Sequence, residues 1–173
     1  RRLRRIIAGS SGLLAVASVF LLGFQGAALA GNGIGAAFRW ATITDVADTR
    51  VGHALLVRIA VAVLLAICAA VAAKTMVGDA ALRFFAVLGF VVLPLSYSFA
   101  GHAGAASPLA PTIAVSVLHV AAVGTWFGGL VLLAAFVAMR DAATVKWFSQ
   151  RAAAMVGVAV VAGVVQSLLI LDD

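Results

Sequence analysis

Three histidines are the side chains of this sequence best suited to bind a metal ion: His53, His102 and His119. Neutral imidazole is a good ligand for copper, zinc and iron. His119 stands inside a long apolar run and shares a helical face with Ser116 and Trp126, at spacings of three and seven. His102 lies in a glycine-rich connection before that run, and His53 begins another run. Three interpretations of His119 stay open: a metal ligand, a haem ligand, or a neutral ring hydrogen-bonded between helices.

The composition places these side chains in a membrane protein. Of the 173 residues, 65% are hydrophobic and 10% are charged, and the mean hydropathy is +1.19. A soluble domain has about 45–50% apolar and about 25% charged residues, so the composition excludes a water-soluble enzyme. A spanning helix needs roughly 20 apolar residues. Five runs are predicted to span, the third being short: residues 6–30, 51–73, 84–100, 112–139 and 148–171. We expect an all-α, polytopic transmembrane helical bundle that forms a single membrane domain over residues 1–173.

The positions of the basic residues predict the orientation of the bundle. Nine of the twelve lysines and arginines precede the first run or flank the second and fourth connections. Because cytoplasmic loops are rich in Lys and Arg, we predict a cytoplasmic N-terminus and an external C-terminus. Topology also accounts for the net charge of +6, so we expect no nucleic-acid partner.

Arg58 is the charged residue placed deepest in an apolar run, about two turns from its start. We expect it to be structural, either reaching outward or pairing with Asp45 or Asp48. No carboxylate lies well inside a run, and no Ser, Cys or Lys has an evident general base beside it. We therefore expect no enzymatic activity.

Small residues in the fourth run predict a close helix contact. Gly124 and Gly128 are four residues apart, and Gly129 adjoins them. Glycines at this spacing let the backbone of another helix approach.

The sulfur-containing residues carry less information, because Cys68 and the three methionines form no M-x-x-M or C-x-x-C motif. Core packing is the favoured interpretation of these sulfur side chains.

The motif around the third histidine resembles a known family. Residues 119–130 read His-Val-Ala-Ala-Val-Gly-Thr-Trp-Phe-Gly-Gly-Leu, which is similar to the histidine helix of the copper resistance protein D family. Gly101-His102-Ala103 resembles the Gly-His that precedes that helix. Thr49-Arg50-Val51-Gly52 followed by Arg58, and the pair Phe148-Ser149, are similar to further patterns of the family. Together these motifs extend over most of the chain.

The resemblance implies a bacterial plasma-membrane protein that handles copper and moves it from the outer side toward the cytoplasm. It further implies capture of copper at His102 and His53 and transfer to His119. From the residues themselves we hypothesise that His102 and His119 share one copper site near the outer surface, with His53 as the third ligand. We also hypothesise that the ion then passes between helices toward Met139 and Cys68. Family members often carry an acidic residue where this chain has Ser116, and a hydroxyl can only hydrogen-bond where a carboxylate could bind metal or orient the imidazole.

The resemblance also implies that the chain is a fragment of a larger membrane domain, since family members usually have more than five spans. Some related proteins fuse such a domain to a cytochrome c oxidase assembly module. The expected partners are membrane lipid, a periplasmic or extracellular copper-binding protein, and components of respiratory oxidase assembly. Two other functions stay open: a membrane b-type cytochrome that transfers electrons through haem, and an accessory or assembly subunit of a respiratory oxidase.

Overall fold

A computed structural model describes residues 2–31, 33–72, 76–106, 109–136 and 142–171 of the chain. All regular structure in these ranges is helical, which confirms the all-α prediction. The helices are α1 (Arg2–Leu29), α2 (Trp40–Ala47), α3 (Arg50–Val71), α4 (Met76–Ala100), α5 (Leu109–Phe136) and α6 (Ala142–Leu171), with short 3₁₀ turns at Ile34–Ala36 and His102–Gly104.

Five of these helices are long and apolar enough to cross a membrane, as predicted. The candidate spans are Leu3–Leu29, Arg50–Val71, Gly78–Ala100, Leu109–Ala134 and Val145–Leu171. Large apolar side chains remain exposed along all five, which suits contact with lipid tails. The orientation of the termini stays a prediction.

The third span is longer than its apolar run because charged residues continue the helix. α4 begins at Met76, eight residues before the run at 84–100. Asp79 lies in its first turn, where a carboxylate interacts favourably with the helix dipole. One oxygen of Asp79 lies 2.9 Å from Arg4 of α1 and the other lies 3.3 Å from Arg83. Paired charges at the end of a helix therefore lengthen it beyond what hydropathy indicates.

The helices group into two compact units, residues 1–100 and 101–173. In the first unit, α1 and α4 both pack against α3. One of its cores is buried where α3 meets α4, and a second lies where α1, α2 and α3 meet. The first core contains Val61, Leu65, Ala69, Ala72 and Leu82, and the second contains Leu22, Val46 and Leu55. The prediction of a single membrane domain stays a prediction.

Glycines let the connection between α1 and α3 fold back onto both helices. Gly31 adopts φ +64°, a left-handed turn that glycine reaches without steric cost. A Cβ on Gly23 would lie 2.5 Å from the carbonyl oxygen of Ala37, and one on Gly26 would lie equally close to Thr42. Gly52 lies against the carbonyl of Val46. Residues 33–47 therefore pack on the helices through positions that exclude a side chain.

The start of α3 is capped within the Thr-x-x-Gly pattern. Thr49 has extended backbone, and its Oγ1 accepts a hydrogen bond from the Gly52 N–H at 3.0 Å. The same hydroxyl donates to the carbonyl of Val46 at 2.7 Å. Such caps satisfy an otherwise unpaired helix donor. Thr49 and Gly52 therefore have a local structural role in starting α3.

In the second unit, α5 and α6 pack against each other, and the turn His102–Gly104 packs on α5. Ala103 of this turn is buried. Gly129 of α5 lies against the ring of Phe148 on α6, so a Cβ at this position would overlap the ring. Of the described glycines, Gly129 therefore makes the closest contact between α5 and α6.

Candidate functional site

His119 lies near the middle of its span and is bonded to the neighbouring helix. It follows Leu109 by ten residues, roughly 15 Å of helical rise, which is about half of the thickness of a bilayer core. Its Nδ1 lies 2.8 Å from the backbone carbonyl oxygen of Ala159. Ala159 lies close to the middle of the span Val145–Leu171. The pair therefore joins α5 to α6 at similar depth in both helices.

The partner of Nδ1 determines which ring nitrogen carries the proton. A carbonyl oxygen only accepts, so Nδ1 of His119 must donate. In the neutral ring, Nε2 then holds a lone pair. Histidines that ligate metals are usually oriented in this way, with the other ring N–H donated to a carbonyl or carboxylate. The hydrogen bond between helices and a metal-ligand role for Nε2 are therefore compatible.

Gly163 makes room for the ring of His119 on α6. A Cβ at this position would lie 3.1 Å from Cε1 and 3.2 Å from Nδ1 of the imidazole. Both distances are shorter than ordinary van der Waals contacts, so a larger residue would move the ring. Neither Gly163 nor Ala159 is among the residues predicted from the sequence. Their spacing of four residues on α6 is the signal that places them on one helix face.

The face of α5 that carries His119 is polar toward the start of the helix. Thr112 and Ser116 are buried there, with exposed fractions of 0% and 4%. Trp126, the other residue of the predicted face, is half-buried. The spacings of four and three residues from Thr112 to Ser116 to His119 align the three side chains. Ser116 is a residue of the predicted face, whereas Thr112 is not.

The other predicted ligands lie in different surroundings. His102 is exposed, and its carbonyl accepts hydrogen bonds from the N–H groups of Ala105 and Ala106. His53 is exposed one turn into α3. Across the described parts of the chain, no group of three or more His, Cys, Asp or Glu side chains is placed to hold a metal ion. The site shared by His102, His119 and His53 stays a prediction.

The predicted inner path is described only in part. Cys68 is half-buried and packs against the apolar core between α3 and α4, as the packing interpretation expects. Met139 lies outside the described residues.

Gly124 and Gly128 differ from Gly129, because a Cβ on either would meet no described atom within 4 Å. The close helix contact that is observed therefore involves Gly129 alone of the three.

Arg58 is buried against α4, with an exposed fraction of 4%. Its Nε donates to Ser96 Oγ at 3.0 Å, and its Nη2 donates to the Ser96 carbonyl at 2.9 Å. The guanidinium carbon lies 3.6 Å from the centre of the Tyr97 ring, a cation–π contact. Asp45 and Asp48 are exposed, and neither forms the expected ion pair with Arg58. Hydroxyl, carbonyl and aromatic groups of α4 take the place of a carboxylate.

An open groove of about 480 Å³ lies between the start of α3 and the end of α4. Its walls are mostly apolar, with polar groups at the helix ends. The lining residues are Arg50, His53, Ala54 and Val57 of α3 and Val92, Leu95, Ser96 and Phe99 of α4. His53 thus faces a groove that also contains an arginine, which is a poor setting for a metal cation.

Comparison with protein families gives a match over most of the chain. The family model described as the copper resistance protein D-like N-terminal domain matches residues 1–110. The chain belongs to this family. Comparisons with curated proteins and with solved structures gave no match. The family resemblance stated from the sequence motifs is confirmed, and the fusion to an oxidase assembly module stays a prediction.

Membership of the copper resistance protein D-like family, with five apolar helices, makes this chain a multi-pass membrane protein. The matched residues cover α1 to α4 and the turn that contains His102. They therefore include the groove and the buried Arg58. His119 lies beyond the matched residues, so its role rests on its own geometry and on the motif of residues 119–130.

Proposed function

We propose that this protein handles copper at the bacterial plasma membrane and carries copper ions from the outer side toward the cytoplasm, contributing to copper homeostasis or resistance. Family membership supports the link to copper. The observation that carries the transport proposal is the orientation of His119 near the middle of α5. With Nδ1 bonded to Ala159, Nε2 is the atom that would meet a copper ion moving along the bundle.

The sparse ligand set at mid-span supports transient rather than tight binding. The described residues around His119 provide one imidazole and the hydroxyl of Ser116, and hydroxyl oxygen is a weak ligand for copper. Ions that cross a membrane must bind strongly enough to enter and weakly enough to leave. We therefore infer that copper is the transported substrate and not a tightly bound cofactor. His102 is proposed to capture it at the outer surface, and Cys68 and Met139 are proposed to receive it further in.

Copper transport by the full chain in lipid vesicles tests this function. Vesicles loaded with a membrane-impermeant copper chelator would report copper entry, and the parent protein is expected to increase the rate. His119→Gln keeps an N–H group for the Ala159 carbonyl but lacks the imidazole lone pair, so it should lose most transport while staying folded. Val120→Ala, at a neighbouring half-buried position of α5, is the matched control and should transport like the parent.

The outcomes separate the competing functions. Normal transport by His119→Gln would show that His119 is a packing residue. A parent protein that carries no copper but shows the visible absorption of haem would identify a b-type cytochrome. A parent that binds neither copper nor haem and copurifies with respiratory oxidase components would identify an assembly subunit.

A further inference from the structure

The groove between α3 and α4 changes from cationic to apolar with depth. Arg50 is the first residue of α3, and His53 lies one turn further in. Val57 lies seven residues into α3, and Val92 lies eight residues before the end of α4, roughly 10–12 Å from the helix ends. The groove therefore has charged and hydrogen-bonding groups at the membrane surface and aliphatic walls beneath them.

The charges around the groove suit an anion. None of its lining residues is a carboxylate. Ser96, which lines it, accepts two hydrogen bonds from the buried guanidinium of Arg58. Arg50 therefore contributes positive charge at the mouth of the groove, and Arg58 contributes it at the depth of Val57, buried behind Ser96. Arginine recognises phosphate well because its planar N–H groups match the geometry of phosphate oxygens.

We propose that this groove binds one anionic phospholipid, a ligand separate from the copper substrate. The phosphate would contact Arg50 and His53, and the first part of an acyl chain would lie along Val57, Val92 and Leu95. Three features support this occupant: the polarity gradient, the arginine and histidine at the mouth, and the position at the ends of two spans, where lipid headgroups lie. The volume of about 480 Å³ is within the range of roughly 300–1,000 Å³ typical of small-ligand sites.

Lipid retention by the full chain in detergent tests the proposal. Native mass spectrometry would compare phosphatidylglycerol with phosphatidylcholine carrying identical acyl chains. The parent is expected to prefer the anionic lipid. Arg50→Gln should reduce that preference about fivefold, the factor expected for one basic residue near an anionic lipid surface. Arg39→Gln is the matched control, because Arg39 is exposed just before α2 and does not line the groove.

A groove-filling variant makes the test independent of Arg50. Val57→Trp adds bulk from a partly exposed position, and it should reduce retention of both lipids while leaving the chain folded. Equal retention of the two lipids by the parent would overturn the proposal. An equal loss of preference in Arg39→Gln, or unchanged lipid retention in Val57→Trp, would also overturn it. Displacement of the lipid by millimolar inorganic phosphate would overturn it as well, because it would indicate a simple anion site.

Discussion

Nδ1 of His119 lies 2.8 Å from the carbonyl oxygen of Ala159, and this bond joins α5 to α6 near the middle of both candidate spans. Water is scarce at this depth, so a polar ring needs a partner in the protein. The carbonyl provides that partner and at the same time leaves Nε2 as the ring atom with a lone pair. One contact thus stabilises the helix pair and orients the nitrogen on which the proposed copper transport depends.

Gly163→Ala should disturb this orientation. The added Cβ would lie 3.1–3.2 Å from the imidazole and push the ring away from Ala159. We expect loss of most copper transport and a shift of the His119 ring nitrogen signals in ¹⁵N NMR spectra. Stability should fall by no more than about 2 kcal/mol, because hydrogen bonds between membrane helices contribute roughly 0.6 kcal/mol on average.

Gly157→Ala is the control for that change. Gly157 lies on the same helix, and a Cβ there meets no described atom within 4 Å. This variant should match the parent in transport and in its spectrum. Equal effects of the two alanines would show that Gly163 does not position the ring.

Gly129→Ala should weaken the α5–α6 pair more than Gly128→Ala does. A Cβ on Gly129 overlaps the ring of Phe148, whereas one on Gly128 meets nothing described. Overpacking costs about 1–3 kcal/mol, while alanine in an unobstructed helix position is neutral or slightly stabilising. Thermal denaturation of the full chain in detergent would measure both. If Phe148→Leu fails to rescue Gly129→Ala, the overlap is not the cause.

Arg58→Met should be tolerated better than Arg58→Ala. Methionine fills similar space, and Ser96 stays satisfied because its hydroxyl donates to the Leu93 carbonyl at 2.7 Å. Replacing a buried charged group by a well-packed apolar one is often neutral, whereas truncating a large buried side chain costs about 2–5 kcal/mol. The midpoints of thermal unfolding should follow this order. Equal destabilisation by Met and Ala would show that the fold requires the positive charge itself.

The orientation can be read from single cysteines in a Cys68→Ala background. Asp48→Cys should react with a membrane-impermeant maleimide in intact cells, and Ala80→Cys should react only after the membrane is opened. Asp48 is exposed after α2, and Ala80 is exposed in the first turns of α4, two residues into the candidate span. The reverse pattern would place the N-terminus outside, against the prediction from basic residues.

The number and type of the spanning helices follow from composition. Each span is an apolar run long enough for a bilayer, and a backbone in lipid must satisfy its hydrogen bonds within a helix. The choice of His119 as a candidate followed from the same reasoning, because an imidazole at membrane depth needs a partner or a function. The starts of the helices agree less well: α4 begins eight residues before its apolar run and α6 begins six residues before its run. In α4 the added turn carries paired charges.

The partners of those residues depend on how the helices are rotated and aligned against one another. The sequence leaves two interpretations of Arg58, reaching outward or pairing with Asp45 or Asp48, yet the packing of α3 on α4 brings Ser96 and Tyr97 to it. Gly124 and Gly128 have the spacing of a contact face, but Gly129 meets Phe148. A long apolar run identifies a membrane helix without specifying which face meets a neighbour, since lipid tails and helix cores are equally apolar. That choice is made by side-chain packing and by hydrogen bonds such as the one from His119 to Ala159.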